Sequence, residues 1–114
     1  MPVLKVQTNI QYEDKKTFMK EATALLSEML NKPEKFIMIH FNSSEDMMFA
    51  GNTAGLVYAE LKSIGLPRGK THDFSARLSG FFSKKLSVPA DRVYIEFFDA
   101  PRDMFGWNGG TFER

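Results

Sequence analysis

Apolar and polar positions along the chain switch between a period of two and a period near 3.6, and the switches mark its elements. Val3-Leu4-Lys5-Val6-Gln7-Thr8 is short and rich in apolar and β-branched residues. It predicts a strand, with Pro2 at its mouth where no ladder hydrogen bond is lost. From Asp14 onward Phe18, Ala22, Leu25, Leu26, Met29 and Leu30 recur at spacings of four, three and one, with Lys15, Lys16, Lys20, Glu21 and Glu28 between them. That pattern predicts an amphipathic helix capped by Asp14. Lys32-Pro33 stops it, because the residue before a proline is pushed out of the helical region. Phe36 to Phe41 is an apolar run bounded by Pro33 and by Asn42-Ser43-Ser44, which reads as a buried strand. Asp46 to Thr53 reads as a loop or short edge strand. Leu56 to Ile64 alternates as a half-buried third strand should. Gly65 to Lys70 is turn material, and Phe74, Leu78, Phe81, Phe82 and Leu86 mark a second helical face, ended by Val88-Pro89. Val93 to Phe98 predicts the fourth strand, and Asn108-Gly109 in the tail predicts a tight hairpin.

The order is strand, helix, strand, and then the same again, with a spacing near half the chain length. A duplicated β-α-β unit predicts an α+β fold, a four-stranded mixed sheet carrying both helices on one face. Because Ile37 to Phe41 looks apolar on both sides, the opposite face is expected to pack against other subunits. The 114 residues and 43% hydrophobic content fit a single domain over 1–114 with one core. Fifteen basic and 14 acidic residues are interleaved, leaving a net charge of +1. No basic block tracks a phosphate backbone, so nucleic acid is not an expected partner. The absence of cysteine excludes a disulfide scaffold, a thiol nucleophile and thiolate metal sites. The start of the chain lacks a secretory pattern, and no run reaches the ~18 apolar residues of a membrane span. The expected location is the cytoplasm, with no membrane partner; release by a non-classical route would leave no mark in the sequence.

Few residues offer chemistry. Removal of the initiator Met before a small residue would leave Pro2 with a free secondary amine, a strong nucleophile and base. Buried beside a cation, that amine would be neutral near pH 7; the plainer reading of Pro2 is a residue that starts a strand. Lys32 reads either as a cation at a helix C-terminus or as an anion clamp. His40 has neither a carboxylate nor a second His at metal spacing, which favours a hydrogen-bonded strand residue. Asp91-Arg92 reads as a turn with an ion pair or anchoring contact. No triad, phosphate loop or zinc pattern is present, and no metal site is expected.

Taken together, Met1-Pro2 before a strand, Asn31-Lys32-Pro33, Ile37-Met38-Ile39-His40, Ser63-Ile64-Gly65, Asp91-Arg92-Val93-Tyr94-Ile95 and Gly106-Trp107-Asn108 through Thr111-Phe112 resemble the macrophage migration inhibitory factor family of the tautomerase superfamily. The similarity runs over nearly the whole chain. It implies a homotrimer whose sheets enclose a central channel, with pockets between neighbouring subunits. It further implies a cofactor-free keto–enol tautomerase acting on phenylpyruvate-like 2-keto acids, with Pro2 as the catalytic base. In the same resemblance Lys32 and the backbone around Ile64 would hold the carboxylate or enol oxygen. Tyr94 from a neighbouring subunit, with Phe36, Trp107 and Phe112, would line an aromatic slot.

The chain also departs from the family pattern. Leu56 and Ala59 stand where the family has a CxxC, so its proposed thiol activity does not carry over. Phe36 replaces a tyrosine. Glu96 replaces an asparagine near the pocket and would repel an anionic substrate if ionised and close. Phe105 replaces a smaller residue and would narrow the pocket mouth. The alternative reading is a cytokine-like trimeric binding protein acting through its surface, with a vestigial pocket. A third is a structural or regulatory trimer with neither role.

Overall fold

The structure, a computed structural model, describes residues 1–113. Its main elements are β1 (Val3–Thr8), α1 (Lys15–Leu30), β2 (Met38–Asn42), β3 (Val57–Ile64), α2 (Thr71–Leu86) and β4 (Val93–Ala100), followed by a small hairpin of β5 (Gly106–Trp107) and β6 (Gly110–Thr111). The sheet runs β2-β1-β3-β4. β1 pairs parallel with β2 and antiparallel with β3, and β3 pairs parallel with β4. The first strand of the chain is therefore an interior strand, paired along both edges.

One face of this sheet makes the core. Leu4 and Val6 of β1 and Val57, Ala59 and Leu61 of β3 meet Phe18, Ala22 and Leu26 of α1 and Phe74, Leu78 and Phe82 of α2, all fully or almost fully buried. The helical spacing in the sequence thus selects the face that packs. Phe18 stacks on Phe41 of β2, with ring centroids 4.0 Å apart and planes 14° from parallel. Thr8, wholly buried at the end of β1, donates from its hydroxyl to the Leu56 carbonyl at 2.7 Å. A buried hydroxyl without that acceptor would destabilise the fold.

Each helix ends by the same device, which shows the duplication at atomic detail. Asp14 caps the start of α1, its Oδ1 accepting from the Thr17 amide. At the far ends Asn31 and Ser87 adopt the left-handed conformation, with φ of 53° and 56°. One turn earlier Ser27 and Ser83 each donate from Oγ, to the carbonyls of Lys32 and Val88, both at 2.6 Å. Pro33 and Pro89 then lead into single 3₁₀ turns, Glu34–Phe36 and Ala90–Arg92, that aim the chain into β2 and β4. Proline pre-sets the extended entry, and the serine hydroxyl fixes where the helix stops. The expected strand over 36–41 is corrected accordingly. Phe36 belongs to the turn, because the Ile37 amide bonds back to the Glu34 carbonyl, and pairing begins at Met38. β4 runs two residues beyond the expected Phe98, to Ala100.

Two tight turns of the same kind flank the sheet. Asn108-Gly109 closes β5 on β6, both residues having positive φ, as the Asn-Gly pair predicts. In the loop over 46–53, Ala50-Gly51 does the same for a bridge between Phe49 and Asn52. Arg92 secures this second turn. Its guanidinium donates to the carbonyls of Gly55, Phe49, Asn52 and Ala54 at 3.0 to 3.4 Å. The anchoring reading of Asp91-Arg92 holds, with the arginine bonded to backbone.

The open sheet face differs from the apolar surface expected of it. Met38 is exposed, but His40, Lys5, Glu60 and Glu96 lie side by side across the strands. The apolar look of 37–41 came from Ile39 and Phe41, which turn inward to the core. His40 is a strand residue within 3.3 Å of the Asn42 side chain. Tyr58 donates to Glu60 at 2.8 Å, and that bond pushes the Tyr58 phenol up to about 12.

Arg92 joins the loop to the start of β4, so Arg92→Ala should lower the unfolding free energy by about 2 kcal/mol in a denaturant titration. An unchanged midpoint would show that these carbonyls find equivalent partners in water.

Candidate active site at the start of the central strand

The sequence begins in the interior of the sheet. Pro2 is fully buried, and its carbonyl accepts the Met38 amide at 3.0 Å, extending the β1–β2 ladder by one bond. Continuing the β1–β3 register places Pro2 opposite Ser63 and Met1 opposite Ile64. Above Pro2 opens a cleft of about 480 Å³, walled by Lys35, Phe36, Met38, Phe105 and Trp107. That volume suits a small organic molecule.

The aromatic wall is built from two distant segments. Phe36 is delivered by the turn after Pro33, and Trp107 by the tail hairpin; their rings meet edge to face at 6.4 Å. Phe112 lies behind Trp107, stacked at 5.9 Å and 10°, and Phe105 closes on Phe112 at 5.8 Å. The Phe112 amide donates to the carbonyls of Arg102 and Phe105, while Arg102 Nε donates to the Phe112 carbonyl at 3.0 Å. These bonds hold the hairpin against the cleft.

The electrostatics of the site are cationic. Burial, Lys32 and then Arg102 hold the Met1 ammonium below the range of an ordinary terminal amine. Desolvation and like charge both favour the neutral amine. Met1 carries the amine in this chain; cleavage of its peptide bond would transfer that role to the Pro2 nitrogen, one residue deeper. Lys32 follows the left-handed Asn31, its carbonyl fixed by Ser27. Lys35 also faces the cleft, its ammonium 5.1 Å from the Phe36 ring centre.

The structure brings together Pro2, Phe36 and Trp107, with Phe112 supporting them and Lys32 acting on the amine. Ile64 is buried at the end of β3, outside the cleft wall. Tyr94 and Glu96 are elsewhere in the same chain. Tyr94 is 63% exposed on the open face, 4.8 Å from Phe49, in a depression shared with Gln7 at the other end of β1. Glu96 pairs in register with Glu60 on that face. Sequence reasoning missed Lys35, Met38 and Arg102. The first two adjoin singled-out residues, but nothing in the sequence around Arg102 signals a site. Among the described residues no group of three or more His, Asp or Glu is placed to hold a metal ion, and no helix is long and apolar enough to cross a membrane.

Comparison with known proteins agrees with this geometry. The family model described as macrophage migration inhibitory factor matches residues 1–113. The chain belongs to the macrophage migration inhibitory factor family. The homologue from Trichinella spiralis is 35% identical over 98% of this chain and 100% of its own, and that from Brugia malayi is 34% identical over 98% and 99%. The crystal structure of the homologue from Prochlorococcus marinus superposes with a TM-score of 0.91 at 37% identity, covering 96% of this chain and 98% of that one. The resemblance read from the dispersed motifs is therefore correct, as is the four-stranded sheet with two helices.

Phe112→Ala removes the ring behind Trp107 together with two aromatic contacts, each worth roughly 1 kcal/mol. Trp107 emission should shift to the red and limited proteolysis should cut within 101–113, while the midpoint for the main sheet stays in place. Resistance of the tail to protease would show that the backbone bonds to Arg102 suffice.

Proposed function

We propose that the protein is a cofactor-free keto–enol tautomerase of 2-keto acids such as phenylpyruvate, with the amine of Met-processed Pro2 as its base. The observation that carries this reading is a buried chain start beneath an aromatic cleft, where burial, Lys32 and Arg102 disfavour a charged amine. A neutral secondary amine is a competent base near pH 7. In the proposed step the Pro2 nitrogen takes a proton from the carbon beside the keto group as that C–H bond breaks. Electron density moves onto the keto oxygen, and the proton returns there to give the enol. Lys32 stabilises the oxygen on which charge develops, the larger effect in such reactions. The ring of the substrate lies against Phe36 and Trp107.

The pocket is proposed to be completed in a homotrimer, in which Tyr94 and Glu96 of one subunit reach the cleft of the next. Tyr94 is exposed and turned away from its own Pro2, which supports that arrangement. Glu96, if it faces the cleft, disfavours a second negative charge on the distal end of the substrate.

The test is phenylpyruvate tautomerisation by protein whose intact mass lacks Met1. Pro2→Gly should lose activity by about a hundredfold or more, the scale of general-base catalysis. Lys32→Ala should lower kcat and kcat/KM together with little change in KM. Wild type that is inactive with a free Pro2 amine overturns the enzymatic reading and leaves the cytokine-like binding protein as the one to pursue.

A further inference from the structure

Among the described residues one cation, Lys35, lines this cleft, two more, Lys32 and Arg102, act on the terminal amine at its edge, and no carboxylate is in the lining. They come from separate elements: Lys32 after α1, Lys35 in the turn that follows, and Arg102 in the turn between β4 and β5. Arg102 is the least expected of them and the most constrained. Its Nε is tied to the Phe112 carbonyl at 3.0 Å, which fixes the guanidinium plane beside the hairpin that carries Trp107. Its two terminal nitrogens make no hydrogen bond or ion pair with the described residues, and the residue is exposed beside the hairpin that supplies Trp107 to the cleft wall. A held guanidinium with a free fork matches the two oxygens of a carboxylate.

We propose that Arg102 is a specificity-determining residue, its free fork receiving the carboxylate of an aryl carboxylic acid whose ring lies against Phe36 and Trp107. This rests on the tautomerase reading for its biological meaning, and it divides the labour within that reading. Arg102 holds the charge the substrate brings, and Lys32 is left for the oxygen on which charge develops. One cation could not neutralise both, because carboxylate and enolate oxygen are negative together in the transition state. The charge of Arg102, after burial and Lys32, also helps to depress the terminal ammonium.

Binding separates this proposal from catalysis. Trp107 is the only tryptophan of the chain and forms the cleft wall, so its fluorescence reports occupancy by cinnamate and by uncharged methyl cinnamate. Two variants of Met-processed protein divide charge from scaffolding. Arg102→Gln keeps an N–H able to reach the Phe112 carbonyl but has no charge, whereas Arg102→Lys keeps the charge and loses the Nε bond.

Wild type should prefer the acid. Arg102→Gln should weaken the acid about tenfold and leave the ester within about twofold, with Arg102→Lys retaining most of the preference. Arg102→Gln that binds both compounds as wild type does, an equal loss of both, or a wild type blind to the charge would each overturn the proposal. Charge preference that follows Arg102 in a protein without tautomerase activity would sink the proposed reaction and leave the Arg102 assignment standing. Tautomerase activity alongside a charge-blind Arg102→Gln would do the reverse.

Discussion

Everything at the candidate site depends on one constraint: the chain begins inside its own sheet. β1 is paired on both edges, so the carbonyl of Pro2 is held by the Met38 amide, and Pro2 is buried. A terminal amine is normally placed in water, where its charge is solvated. Here the sheet carries it to the floor of a cleft whose neighbouring charges are positive. Folding thus places the start of the chain in an environment that favours a neutral amine; in the proposed function, loss of Met1 would hand that environment to Pro2, and its base character would follow from topology without a separate catalytic side chain.

The duplication explains why this happens once. The second unit repeats the first in its helix end, its proline, its 3₁₀ turn and its parallel strand pair. Each end of the sheet also carries an aromatic pair beside a tight turn, Phe49 with Tyr94 at one end and Trp107 with Phe36 at the other. The corresponding depression is bordered by Leu56, Val57 and Tyr94. There the chain enters β3 through an unbroken peptide from Gly55, and Arg92 is occupied in fixing backbone carbonyls. The two ends of the sheet share a shape, but only one can offer an amine.

Much of the fold was legible because it depends on local rules. The spacing from Phe18 to Leu30, the alternation from Val57 to Ser63 and the Asn108-Gly109 turn each specify an element from a few neighbouring residues. Phe36 was misplaced because an apolar residue after proline fits a strand as well as a 3₁₀ turn; the hydrogen bond from Ile37 to Glu34 decides it. The open face was misjudged for a related reason. Apolarity of Ile37 to Phe41 was counted along the strand, whereas Met38 and His40 take their neighbours from Lys5 and Glu60 on other strands. At the site, Pro2, Lys32, Phe36 and Trp107 were found through several motifs in family order. Arg102 escaped because its place beside the Trp107 hairpin is set by a bond to the Phe112 carbonyl, which no local pattern encodes.

The most direct measurement is the titration of the Pro2 nitrogen by NMR in isotopically labelled protein whose mass confirms loss of Met1. The account predicts a pKa below that of an ordinary terminal amine, moving upward when Lys32 is replaced by alanine. A pKa at or above the ordinary value, indifferent to Lys32, would contradict it: Pro2 would then be charged near pH 7 and unable to act as the base.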